Sequence, residues 1–234
     1  MAQGSSGIIL GSFLFTILFL ILSIYLGYLI LYTLFIIFLI FSLFNLFFFR
    51  DPNRIIPECS QAVLSPADGK VLQIIEEFEP YFTNSNAIRI SIFLSVFNVH
   101  VNRNPVSGIV SYFVHNPGKY FAAFKEKASM ENEQTQIGIT TKSGHKIMFK
   151  QIAGIIARRI VCNLAEGNEI KVGDRMGLIR YGSRADIFLP TSSKILADVN
   201  QILKGGETII ALLPENDSVS VEQIKSEIPE LEPT

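Results

Sequence analysis

The sequence predicts a mainly β domain of barrel or sandwich type, with few short helices, behind an N-terminal transmembrane helical hairpin. Three observations predict it. Residues 1–49 contain no charged side chain and no histidine. The chain is 49% hydrophobic, and the excess sits before Arg50. After Arg50 the apolar residues fall into short runs, several of them alternating, with turn residues about every ten positions, as half-buried strands require.

The anchor comes first. From Ile8 to Phe49 the chain is apolar, with scattered Ser, Thr, Tyr, Gly and Asn. As one straight helix it would run about 63 Å, roughly twice the hydrocarbon thickness of a bilayer. Two spans solve this, Ile8–Leu26 and Leu29–Phe49, with a tight turn at Gly27-Tyr28. One kinked helix, or a hairpin dipping into one leaflet, would also fit the run. A secretory signal would need a basic start and a shorter apolar core. Arg50 and Arg54 follow the run, while no Lys or Arg precedes it. The positive-inside rule therefore places the following domain, and with a hairpin the N-terminus too, on the cytoplasmic side.

Residues 50–214 read as one domain. Asp51-Pro-Asn-Arg-Ile-Ile-Pro57 is an extended linker. Val63-Leu64 leads into the turn Ser65-Pro-Ala-Asp-Gly69, where Pro and Asp-Gly each favour the bend. Lys70–Glu77 resumes as a strand. Ala87–Val101 alternates through Ile88, Ile90, Ile92, Leu94 and Val96 and is expected as one strand, closed by Val99-His-Val-Asn-Arg103. Val106–Val114 is the next strand, His115–Lys119 a loop, and Tyr120–Ala128 a short helix. Gln136–Thr141 and His145–Ile152 flank Lys142-Ser-Gly-His145 as a hairpin. Ile155–Cys162, the pieces of Glu169–Leu178 around a turn at Val172–Gly177, and Thr208–Leu213 complete the strands. Residues 215–234 carry six acidic residues and one lysine and are expected to form a flexible tail.

The net charge of −1 argues against a nucleic-acid partner. Cys59 and Cys162 have no metal-ligand spacing, no metal is expected, and two free, buried thiols in a reducing compartment are the simplest reading, with a disulfide between them left open by the sequence. The residues leave a homodimer open.

Ile179-Arg-Tyr-Gly-Ser-Arg-Ala-Asp-Ile-Phe-Leu-Pro190 is the stretch around which the chemistry gathers. Gly182 lacks a Cβ, so its peptide can be approached and distorted. Ser183 offers a hydroxyl that needs activation. Upstream lie Asp68 and His100, a carboxylate and a base of the types that orient and activate a serine. Each alone has a bland explanation: a turn aspartate, a core histidine, a turn serine.

The motifs Ser65-Pro-Ala-Asp-Gly69, Phe97-Asn-Val-His-Val-Asn-Arg103, Pro117-Gly-Lys119, Glu131-Asn-Glu133 and Tyr181-Gly-Ser-Arg-Ala-Asp-Ile-Phe-Leu-Pro190 stand in one order. Together they resemble the short form of phosphatidylserine decarboxylase over roughly residues 50–214. The resemblance implies self-cleavage between Gly182 and Ser183, giving a large chain 1–182 and a small chain 183–234. It implies that Ser183 becomes a pyruvoyl cofactor, an electron sink like pyridoxal phosphate, through which phosphatidylserine loses CO₂ to give phosphatidylethanolamine. His100, oriented by Asp68, is then the candidate base for cleavage and a candidate proton donor in decarboxylation. Arg103, Lys119 and Arg184 lie in the motifs and are candidates for the anionic headgroup. The anchor fits a phospholipid substrate and a place in the inner (plasma) membrane. Longer forms of the family carry Gly-Ser-Thr where this chain has Gly-Ser-Arg184, and a further His near the place of Phe97. A mechanism that needs that His does not carry over.

Three other readings stay open at this point. Archaetidylserine, with ether-linked chains, presents the same headgroup. A membrane-anchored Ser-His-Asp hydrolase would use the same residue types, though the Gly-x-Ser-x-Gly elbow is absent around Ser183. A non-catalytic biotinyl- or lipoyl-like β module would explain Val172–Gly177 but needs a lysine at a hairpin tip.

Overall fold

The apolar run folds as two antiparallel helices, α1 (Ser6–Leu26) and α2 (Leu29–Phe48). At 21 and 20 residues each is long and apolar enough to cross a bilayer. Gly27 closes α1 with φ +67°, its N–H donating to Ser23 O. The face between the helices holds small polar residues, Ser12, Thr16, Ser23 and Ser42. Thr16 Oγ1 and Ser42 Oγ lie 3.0 Å apart, and Phe38 stacks on Phe15 and Phe19 at 5.4 and 5.1 Å. Leu10, Ile24, Leu29 and Ile40 point outward. That inversion suits helices whose partner outside is lipid.

The computed structural model describes residues 1–2, 4–59, 61–121, 131–155 and 160–215. The acidic residues 216–234 and most of the expected helix, 122–128, lie outside these.

Among the described residues the rest is β. An antiparallel eight-stranded sheet contains β2 (Gly69–Glu79), β3 (Ser85–Leu94), β5 (Gly108–Asn116), β6 (Gln134–Thr140), β7 (Lys146–Ala153), β9 (Glu169–Ile170), β11 (Ser183–Pro190) and β13 (Ile202–Leu203). Its order is β13-β2-β3-β11-β7-β6-β5-β9, and it curls around the main core. Two three-stranded sheets accompany it. One is β1 (Ala62–Leu64), β14 (Ile209–Leu212) and β12 (Lys194–Ile195); the other is β4 (Val101–Arg103), β10 (Arg175–Ile179) and β8 (Ile160–Cys162). The expected mainly β class with an N-terminal hairpin is what the chain forms.

β11 is central and buried on both faces. Ala185, Ile187 and Leu189 enter the main core with Ile90, Ile92 and Phe149, while Phe188 packs on Met148 and Ala87 on the other side. The alternation follows the pleat.

The expected single strand Ala87–Val101 is two strands in different sheets. Asn98 Oδ1 accepts from Ser95 N–H at 2.9 Å and from Ser95 Oγ at 2.8 Å, while Asn98 N–H donates to Ser95 O. This local side-chain bonding competes with the ladder and ends β3 at Leu94. The chain then enters β4, which pairs with β10 through Val101↔Leu178 and Asn102↔Gly177. Without that break His100 would lie in the main sheet rather than beside the end of β10.

The motifs Pro117-Gly-Lys119 and Glu131-Asn-Glu133 pair with each other. Lys119 N–H donates to Glu131 O at 2.7 Å and Glu133 N–H to Lys119 O at 3.0 Å. Asn132 Nδ2 bonds Ala153 O at 2.7 Å, and Ala153 stands opposite Ser183. A Cβ on Gly118 would sit 2.5 Å from Asn132 C and Glu133 N. Gly118→Ala is therefore expected to destabilise the chain by about 1–3 kcal/mol, as overpacking does, read as a lower guanidinium midpoint.

Candidate active site

The site forms where β10 hands over to β11. β10 ends at Ile179, and β11 starts at Ser183 between Leu94 and Ala153. The intervening turn is left-handed twice, at Tyr181 (φ +54°) and Gly182 (φ +80°). Glycine accepts this freely, but an aromatic residue there is strained by about 1–3 kcal/mol. Ser183 follows directly. It is fully buried, and its hydroxyl has no hydrogen-bond partner among the described residues. A buried polar atom left unpaired is uncommon and calls for an explanation.

His100 lies against this turn. Its Nε2 accepts the Gly182 N–H at 3.1 Å, and its Nδ1 faces Asn98 O at 3.0 Å. These partners define the neutral tautomer, with the proton on Nδ1 and the lone pair on Nε2. Burial pushes the ring's pKa down to about 4, with Arg50 lowering it further and the Asn98 carbonyl opposing. The burial comes in part from the anchor. The Phe48 ring lies 4.2 Å from His100 and 4.7 Å from Tyr181, and Tyr181 Oη donates to Asn45 Oδ1 at 3.0 Å. The ring is thus a neutral base whose lone pair rests on the residue preceding Ser183.

Asp68 does not orient His100 here, contrary to expectation. Its carboxylate accepts from Arg54 Nη2 at 2.8 and 2.9 Å and from Gly205 N–H at 2.8 Å. The place against Nδ1 is taken by Asn98 O. Asp68 therefore clamps the linker that leaves the anchor.

All three headgroup candidates have partners within the chain, and two of them are buried. Arg103 is buried, bonding Gly173 O at 2.9 Å, Asp51 Oδ1 at 3.0 Å and Pro52 O at 3.1 Å. With Arg175, which also binds Asp51, it fastens the linker to the domain. Arg184 is 1% exposed and bonds Asp186 Oδ1 at 2.6 Å and Ser91 Oγ at 2.8 Å. It follows Ser183 in an extended strand and so points to the opposite face. Lys119 keeps its ammonium at the surface, 2.9 Å from Glu131 Oε2.

Sequence reasoning missed Asn98, Asn45 and Phe48. Asn45 carried a signal, as the lone amide side chain between Gly4 and Phe49; a polar group inside an apolar helix usually has a named partner. Phe48 carried none among so many phenylalanines.

A serine-centred site on a curled antiparallel sheet, packed against two helices long and apolar enough to cross a membrane, is the arrangement of an enzyme-like protein. The phosphatidylserine decarboxylase family model matches residues 41–211. The chain is 49% identical over 168 residues to the phosphatidylserine decarboxylase proenzymes of Rickettsia akari (strain Hartford), Rickettsia africae (strain ESF-5) and Rickettsia bellii (strain OSU 85-389). The match covers 70% of this chain and 73% of each relative. The chain belongs to the phosphatidylserine decarboxylase family.

Proposed function

We propose that the chain is a proenzyme that cuts itself between Gly182 and Ser183 and then converts phosphatidylserine to phosphatidylethanolamine. The observation that carries the reading is the buried Ser183 hydroxyl, without a hydrogen-bond partner among the described residues, beside left-handed Gly182, whose N–H rests on His100 Nε2.

Ser183 Oγ adds to the Gly182 carbonyl carbon while its proton passes to His100 Nε2. For this the imidazole lone pair transfers from the Gly182 N–H to the neighbouring hydroxyl. The C–N bond breaks, the nitrogen takes up the proton, and Gly182 is held as an ester on Ser183. Loss of the Ser183 Cα proton and departure of the Gly182 carboxylate from Cβ leave dehydroalanine. Addition of water and release of ammonia then give a pyruvoyl end on the small chain 183–234, and the large chain 1–182 ends in a carboxylate.

Position 183 suits that group. The hydroxyl it replaces makes no hydrogen bond to the described residues, so its loss breaks none among them. Leu94 and Ala153 flank it in the sheet. Bound there, the group supplies a carbonyl electron sink for loss of CO₂ from a serine headgroup. The protein's own part is to exclude water with Phe48 and Tyr181 and to fix the His100 tautomer through Asn98 O. The hairpin spans the inner (plasma) membrane with the domain on its cytoplasmic side. Support comes from Arg50 and Arg54 after α2 and from Phe48 at the end of α2, whose ring lies 4.2 Å from His100 and so fits a site close to the bilayer.

Intact mass of the purified chain, wild type beside Ser183→Ala, tests the reading. Wild type should give two fragments, the smaller blocked by a carbonyl, and the variant should stay whole. A wild type that stays whole, with no carbonyl that borohydride traps, sinks the proposal and returns the hydrolase and binding-module readings.

A further inference from the structure

The last turn of α2 enters the site more closely than an anchor needs to. Asn45 is fully buried, and its Oδ1 accepts the Tyr181 hydroxyl at 3.0 Å. It is not part of the polar contact between the helices that Thr16 and Ser42 make three residues earlier on α2. Tyr181 is the strained, left-handed residue that aims Gly182 and Ser183. Its ring is held by Phe48 at 4.7 Å, Phe44 at 6.5 Å and Phe49 at 6.1 Å, all from the end of the hairpin. A strained backbone persists only where its surroundings over-determine it. Here α2 and the residue that follows it supply the hydrogen bond and the aromatic rings around the Tyr181 side chain, in a cluster that also holds Val99, Val101 and Leu178.

We propose that Asn45 and Phe48 are positioning residues for self-cleavage, Asn45 by holding Tyr181 in its left-handed conformation and Phe48 by keeping water off the His100 ring. The inference rests on the proposed cut at Gly182-Ser183. It makes the anchor part of the reacting site as well as a tether. A hairpin displaced from the domain would leave the serine in place but relax the turn and hydrate the base.

The test follows conversion of the newly made full-length chain to its fragments in phosphatidylcholine vesicles across a pH series. Asn45→Leu is expected to slow cleavage about tenfold, the kinetic equivalent of one lost buried hydrogen bond, with the pH midpoint unchanged. Tyr181→Phe keeps the ring packing, deletes only the hydroxyl and should slow cleavage equally. It decides the matter if the Leu variant does not fold. Phe48→Ala is expected to move the pH midpoint of cleavage up from about 4 toward the 6.5 of a solvated imidazole, while Asn45→Leu and Tyr181→Phe, which loosen the same turn without uncovering the ring, leave the midpoint in place. If wild type is cut at Gly182-Ser183 while Tyr181→Phe keeps the wild-type rate and Phe48→Ala the wild-type midpoint, this inference is overturned and the proposed function stands. If wild type is not cut there, both fall together.

Discussion

His100→Ala is expected to slow self-cleavage by about a hundredfold or more, the usual worth of a positioned general base. The Nε2 lone pair rests on Gly182 N–H, one residue from a hydroxyl that has no hydrogen-bond partner among the described residues. Removing the ring leaves Ser183 to attack without a base. The pH dependence makes the prediction sharper. A group whose folded pKa is lowered to about 4 stays unprotonated at every pH above that value. Cleavage should therefore be level through the neutral and mildly acid range and fall only as the pH drops to about 4. A ring exposed to water would instead lose half its activity near pH 6.5. The measurement is the fraction of uncut chain against time, by intact mass, at each pH. A half-point near 6.5 would mean that His100 is solvated when the chain reacts. Normal cleavage in His100→Ala with no decarboxylation would move the histidine to the second reaction only.

What could be read from the sequence was set by patterns with one physical meaning. A charge-free apolar run of this length has few places to go, and its turn at Gly27-Tyr28 is marked by a residue free to take positive φ. Alternation gave most strands of the main sheet. It failed at Ser95–Asn98, because apolar alternation continues through Val96 while the chain is turned by one asparagine side chain that accepts two hydrogen bonds. That local competition decides which sheet the chain enters just after His100. The Gly182-Ser183 pair and His100 were legible as chemistry and are brought together. Asp68 was misplaced because an aspartate in an Asp-Gly turn says nothing about where its carboxylate points, and Arg54, fourteen positions earlier, reaches it first. The short strands β12 and β13 carry two residues each, too few for any period to show.

The second large effect concerns stability, and it tests the reassignment of Arg184. Asp186→Ala is expected to cost about 3–5 kcal/mol, the range for removing one partner of a buried ion pair. Arg184 Nε bonds Asp186 Oδ1 at 2.6 Å, and Arg89 Nη1 lies 4.0 Å from Asp186 Oδ2 and 3.1 Å from Glu77 Oε1. With the Gln73 amide oriented to satisfy its neighbours, its oxygen accepts from Arg89 at 2.8 Å and from Arg184 at 3.3 Å. Asp186 itself is fully buried, so its loss leaves guanidinium charge in a place water does not reach. Lys150 lies on the same side of the sheet, its ammonium over the rings of Tyr81 and Phe188 and its pKa lowered by burial, and it adds to the positive charge there. The double replacement Arg184→Met with Asp186→Leu removes both charges and keeps the volume. It should recover most of the loss, because a buried pair is often no more stable than a well-packed apolar one. Guanidinium midpoints of the three chains decide it, measured on Ser183→Ala backgrounds so that cleavage does not intervene. An arginine that instead held the lipid headgroup would show the opposite pattern: midpoints near wild type, and a raised KM for phosphatidylserine in cleaved Arg184→Met enzyme.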